Sequence, residues 1–170
     1  MNNSVQQSNE IVESLLPPKV DVDEHRKALF VGAKYQSYYK EKFDLMTAQQ
    51  SQAGFNLAAF LFGVLWMFYR KMYAYGFMAI GVMFVVGVIE EIFKLSGIVS
   101  SVIFAIMYGV WGNSLYKHYV DKKIELIAEN SYSASLDQQL QEEGGTSIWA
   151  ALLLLGTAIA LICLTIFFDP

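Results

Sequence analysis

Few residues in this chain have the types and spacing that chemistry requires. Two blocks pair a tyrosine with basic neighbours, Tyr69-Arg70-Lys71 and Tyr116-Lys117-His118. Such blocks suit the headgroup layer of a membrane, where the ring sits among headgroups and the cation meets phosphate. Plain interface anchoring is the simpler reading, and a specific anionic-lipid site is the sharper one. Glu90-Glu91 could hold a proton or a cation if buried. Their place beside Lys94 suits a solvated turn instead. His25 and His118 are far apart, and no Cys or His cluster has metal-ligand spacing. No catalytic motif is recognisable either. The sequence therefore leads us to expect no catalytic residue, no metal and no cofactor, and a protein that is not an enzyme. Cys163 is the single cysteine, so an intrachain disulfide is impossible, and it reads as a small apolar filler. Asn56 and Asn113 flank apolar runs, a placement for capping or interhelical hydrogen bonds.

A different signal lies in Gly97, Ser101, Ala105 and Gly109, which recur every four residues, with Asn113 extending the row. That spacing keeps them near one helix face, and in lipid a row of small residues lets two backbones approach closely. It serves either as packing against this chain's own helices, such as the Gly156/Ala160 face, or as a docking face for a membrane protein partner or a second copy.

The elements that must position these residues are apolar. The 170-residue chain is 55% hydrophobic and 16% charged, below the roughly 25% charge of soluble domains. Its net charge of −4 argues against nucleic acid as a partner. The first twenty residues lack a basic n-region and an apolar h-region, so no cleavable signal peptide is expected. Residues 1–20 are polar and read as a disordered tail. Residues 21–47 read as a cytoplasmic N-terminal amphipathic helix, opened by Asp21 or Asp23 as N-cap. Its Tyr35, Tyr38, Tyr39 and Phe43 form an aromatic stripe with Lys34, Lys40 and Lys42 alongside. That stripe either lies on a membrane surface or docks onto the rest of the protein.

Residues 53–69 are apolar but short. From Ala53 to Phe68 there are sixteen residues, about 24 Å of helix against a hydrocarbon core of ~30 Å. Residues 72–89, 98–116 and 148–168 read as transmembrane helices, and 117–147 as a cytoplasmic helix extension and loop with Gly144-Gly145 as a hinge. Charge placement arbitrates the topology, since Lys and Arg stay preferentially in the cytoplasm. Four crossings split these residues seven to five, whereas three crossings with a non-spanning 53–69 segment leave only Lys94 outside, eleven to one. The expected fold is all-α: an integral membrane protein with three spanning helices and one short re-entrant or interfacial apolar helix.

The stretch from Phe55 carries a resemblance. Phe55-Asn56, Ala58-Ala59-Phe60, Phe62-Gly63, Trp66 and Tyr69-Arg70-Lys71-Met72-Tyr73 are similar to the signature of a bacterial membrane family catalogued as domain of unknown function 2628. That signature reads roughly F-N-W-A-A-F-x-F-G-P-x-W-x-x-Y-R-K-M-Y. Asn113-Ser114-Leu115-Tyr116-Lys117-His118 resembles its second block, and the likeness runs from about Tyr35 to Ile124. Leu57 stands where the family has Trp, and Val64 where it has Pro, a helix breaker. The resemblance implies a membrane protein and carries no assigned activity.

These readings lead to a non-enzymatic accessory or scaffold protein of the bacterial cytoplasmic (inner) membrane. Its expected partners are membrane lipids, anionic headgroups among them, and another membrane protein or a second copy. The alternative is a subunit of an oligomeric small transporter or channel, for which the spans offer few polar residues.

Overall fold

A computed structural model describes residues 21–49, 54–130 and 135–168. The tail expected over 1–20 lies outside the described residues. Among those described, all regular structure is helical. Helix α1 (Val22–Val31) is capped by Asp21, whose carboxylate accepts from the Asp23 amide at 3.0 Å, and it ends at Gly32 with φ 77. A π-helical turn, Tyr35–Tyr39, runs directly into α2 (Lys40–Gln49). This run buries Tyr35, Tyr39 and Phe43, so the aromatic stripe packs inward against the protein.

The short apolar stretch forms two helices, α3 (Leu57–Phe62) and α4 (Val64–Tyr69), broken at Gly63. Gly63 has φ 47, a conformation that costs a β-carbon dearly, so the break persists although Val64 replaces proline. Each six-residue helix is about 9 Å long and neither can cross a bilayer. Lys71, at φ 60, then turns the chain into α5 (Tyr73–Phe93), followed by α6 (Gly97–Asn130). An eight-residue helix, α7 (Leu136–Glu143), lies within the stretch read as a polar extension and loop. It is held by Leu140, which is wholly buried. The chain closes with α8 (Ile148–Phe168).

Helices α5, α6 and α8 are long and apolar enough to cross a membrane, and the molecule is a membrane protein. Its core lies outside their apolar lengths. The buried cluster joins Phe30, Tyr39, Phe43, Trp66, Met72, Tyr116, Val120 and Leu140 with their neighbours. These come from α1, the π turn, α2, α4, the turn that follows it, α7 and the charged half of α6. The helices leave this knot as rods: α8 buries none of its residues and α5 only Gly76. Lipid tails are as apolar as leucine, so such helices gain little from covering one another.

Backbone hydrogen bonds fasten the knot where the rods depart. The Ser147 amide donates to the Tyr69 carbonyl at 2.8 Å, joining the start of α8 to the end of α4. The Gly145 amide donates to the Phe30 carbonyl at 2.6 Å. At Gly144 a β-carbon would fall 2.1 Å from that same carbonyl oxygen, so only glycine fits. The linker read as a hinge is thus a close-packed crossing of α1.

Candidate functional site

The two Tyr-basic blocks meet inside the knot. Arg70 sits at the end of α4, where its amide donates to the Trp66 carbonyl at 3.0 Å. The residue is only 6% exposed. Its guanidinium lies 4.7 Å from the Tyr39 ring centre, 5.1 Å from Tyr116 and 5.7 Å from Tyr69. Tyr39 and Tyr116 are themselves packed together at 4.9 Å, with Trp66 and Phe43 behind Tyr116 at 5.9 and 6.2 Å. Among the described residues, Nε and Nη1 of Arg70 and the Tyr116 hydroxyl are buried without a hydrogen-bond partner. What compensates the charge is the negative face of the rings. Burial raises the Tyr39 hydroxyl pKa, against the opposing pull of Arg70.

The other members of the blocks lie around this box. Tyr69 and Lys117 are half-buried and His118 is exposed. Lys117 pairs with Asp121 at 2.5 Å along α6. Lys71 is half-buried and donates through Nζ to the Glu142 carbonyl at 2.8 Å. Its own carbonyl accepts from the Tyr119 hydroxyl at 3.0 Å. The structure therefore brings Tyr69, Arg70 and Tyr116 together and sets Lys71, Lys117 and His118 at the rim. The sequence alone reads Arg70 as a surface cation. The clue it lacked is that Tyr39 and Tyr116 are distant in sequence and close in space.

A second, polar lock lies beneath the box. Asn56, 1% exposed, donates through Nδ2 to Asn113 Oδ1 at 2.9 Å, and its own Oδ1 caps α3 by accepting from the Ala59 amide at 2.9 Å. The Asn56 amide donates to the Gly109 carbonyl at 2.7 Å. Both asparagines thus cap or bond between helices. The small-residue row divides at this point. Gly109 is buried, and a β-carbon there would fall 2.3 Å from the Phe55 ring. Gly112, outside the row, meets the Ala59 β-carbon the same way at 2.8 Å. Ala105 is half-buried, while Gly97 and Ser101 are exposed. Ser101 Oγ donates to the Gly97 carbonyl at 2.7 Å. A β-carbon on Gly156 would touch nothing within 4 Å, so that face of α8 does not cover the row.

Among the described residues, no three His, Cys, Asp or Glu side chains gather as a metal ion would require. Cys163 is exposed on α8. The sequence model of a family described as "Protein of unknown function (DUF2628)" matches residues 20–121. That match takes in the aromatic stripe, α3 and α4, α5, and α6 through Tyr116 and Asp121. No curated protein and no solved structure matches the chain.

Proposed function

The chain belongs to the DUF2628 family of proteins of unknown function, and from its architecture we propose a non-enzymatic accessory or scaffold protein of the bacterial cytoplasmic membrane, working through helix–helix contacts. One observation carries this reading: three apolar helices stand on one knot, α8 with none of its residues buried and α5 with only Gly76 buried. Ile159, Leu161 and Ile166 of α8 are 52%, 59% and 72% exposed. A helix presented this way is available to another spanning helix, whether of a second copy or of a different membrane protein. The knot sets where each rod enters the bilayer, which is what a scaffold supplies.

Photo-activatable residues placed at Leu161 and Ile166 test the reading in native membranes. A discrete protein adduct at these positions, absent from the buried Met67, is the expected result. Adducts with lipid alone at every α8 position would overturn it. Ion flux from liposomes holding the purified protein would favour the channel-subunit alternative.

A further inference from the structure

The seam between α5 and α6 leaves the knot as two cavities in succession. Nearest the knot is a polar cleft of about 380 Å³, lined by Lys71, Tyr73, Tyr119, Lys123, Glu142 and Glu143. Beside it along the seam, backed by Ala59, Trp66 and Met67 of the broken pair and reaching out between the spans, is an apolar groove of about 310 Å³, at the small end of ligand pockets (~300–1,000 Å³). Tyr75, Val82, Met107, Tyr108, Trp111 and Leu115 are among its walls. The Tyr75 and Tyr119 rings, 6.0 Å apart, stand where one cavity gives way to the other. The groove opens outward, since Val82, Met107 and Trp111 are 50%, 39% and 47% exposed.

We propose that this seam binds one glycerophospholipid with a zwitterionic, amine-bearing headgroup, one of its two acyl chains in the apolar groove and its headgroup in the polar cleft. Three observations carry the assignment. The groove lies between two spanning helices and opens to the surroundings, which in a bilayer are acyl chains. Its length fits one leaflet: from Phe104 to Leu115 the groove follows α6 for about 16.5 Å, and half of the ~30 Å hydrocarbon core is about 15 Å. The cleft carries charges of both signs. Lys71 holds the Glu142 carbonyl with one of its ammonium donors and keeps others for a phosphate. Lys123 and Glu143 face each other at 3.4 Å, a loose pair that a phosphate and an ammonium can separate and satisfy. An anionic headgroup lacking the amine would leave Glu142 and Glu143 opposed to its phosphate.

Native mass spectrometry of the full chain tests the proposal. The purified protein is delipidated, then exposed to palmitoyl-oleoyl phosphatidylethanolamine, phosphatidylglycerol or phosphatidylcholine. One phosphatidylethanolamine should be retained per chain, at least tenfold above phosphatidylglycerol. Val82→Trp and Met107→Trp, which fill the groove from its exposed lip, should each cut retention about tenfold. Glu143→Gln should erase the preference for the amine while leaving retention of the chain. Thermal unfolding of each variant should match the parent. Equal or greater retention of phosphatidylglycerol overturns the headgroup assignment. Undiminished retention in both tryptophan variants, or no retained lipid at all, overturns the groove.

Discussion

Arg70 shows how a single residue departs from what its neighbours in sequence suggest. A tyrosine, an arginine and a lysine at the end of an apolar run read as a headgroup anchor, because that is where such residues sit on a spanning helix. The chain turns at Lys71 instead, and the arginine is folded back among Tyr39, Tyr69 and Tyr116. Replacing a buried charge by an apolar side chain of similar volume is often neutral or stabilising, whereas removing its compensation is costly. Arg70→Met should therefore unfold within about 1 kcal/mol of the parent or later. Arg70→Lys should unfold earlier, since a compact ammonium loses the planar stacking. Tyr39→Leu should cost about 1–3 kcal/mol, from the lost ring and the less compensated charge. Thermal unfolding in detergent measures all three, and an Arg70→Met variant less stable than Arg70→Lys would refute the box. Tyr35 adds a pH dependence. Burial, and then Glu24, Asp44 and other carboxylates, push its hydroxyl up to about 12, against roughly 10 when unfolded. The unfolded chain thus loses this proton first. The associated stability is complete below pH ~10 and falls away as the pH rises toward the folded value. Tyr35→Phe should lose less stability than the parent between about pH 9 and pH 11.5, and equal losses would remove Tyr35 as a cause.

Elements were more legible than residues. Apolar runs of twenty or so residues can do little but span, and α5, α6 and α8 follow from length and hydropathy alone. The interruption at Gly63 is legible as a short apolar length with a glycine in it, although Val64, unlike a proline there, does not itself enforce a break. Helix α7 was harder, because an amphipathic helix of eight residues carries its signal in Leu136 and Leu140 only. Packing between elements was least legible. A row of small residues at four-residue spacing marks a smooth helix face, but only a partner decides which positions are pressed. That partner is the broken segment: Phe55 lies on Gly109 and Ala59 on Gly112. Gly112→Ala should therefore destabilise the protein by about 1–3 kcal/mol, as overpacking does. Gly87→Ala, in α5 with nothing within 4 Å of the new carbon, should be stabilising by about 0.5–1 kcal/mol through helix propensity. Chemical unfolding of the two variants side by side checks this. Similar midpoints would mean that the α3–α6 contact is not close-packed in the membrane.

At the scale of the whole molecule, the knot gathers charge on one side. Every described lysine and arginine except Lys94 belongs to its elements or to the charged half of α6. Lys94 sits at the far end, in the turn between α5 and α6, where it caps α5 with φ 53. Three rods rooted in one knot imply that α5 leaves it, α6 returns to it and α8 leaves again. From the charge bias we expect the knot on the cytoplasmic side. The competing arrangement, in which the stretch from Phe55 to Tyr69 also crosses, would reverse this and place the α5–α6 turn inside. The two are separated by single cysteines at exposed positions in a Cys163→Ser background, Ser96→Cys in the turn and Gln138→Cys on α7. On intact cells a membrane-impermeant maleimide should label Ser96→Cys and spare Gln138→Cys, with both labelled once the membrane is opened. Four crossings require the opposite pattern, because α7 would then lie outside and the turn within. The geometry opposes that outcome on physical grounds. Crossing would need the broken pair α3 and α4 to straighten through Gly63. It would also pull Asn56 from Asn113 and drag Arg70 out of its rings, leaving buried polar groups without their partners in lipid. A reversed labelling pattern would show that the knot itself comes apart in the membrane.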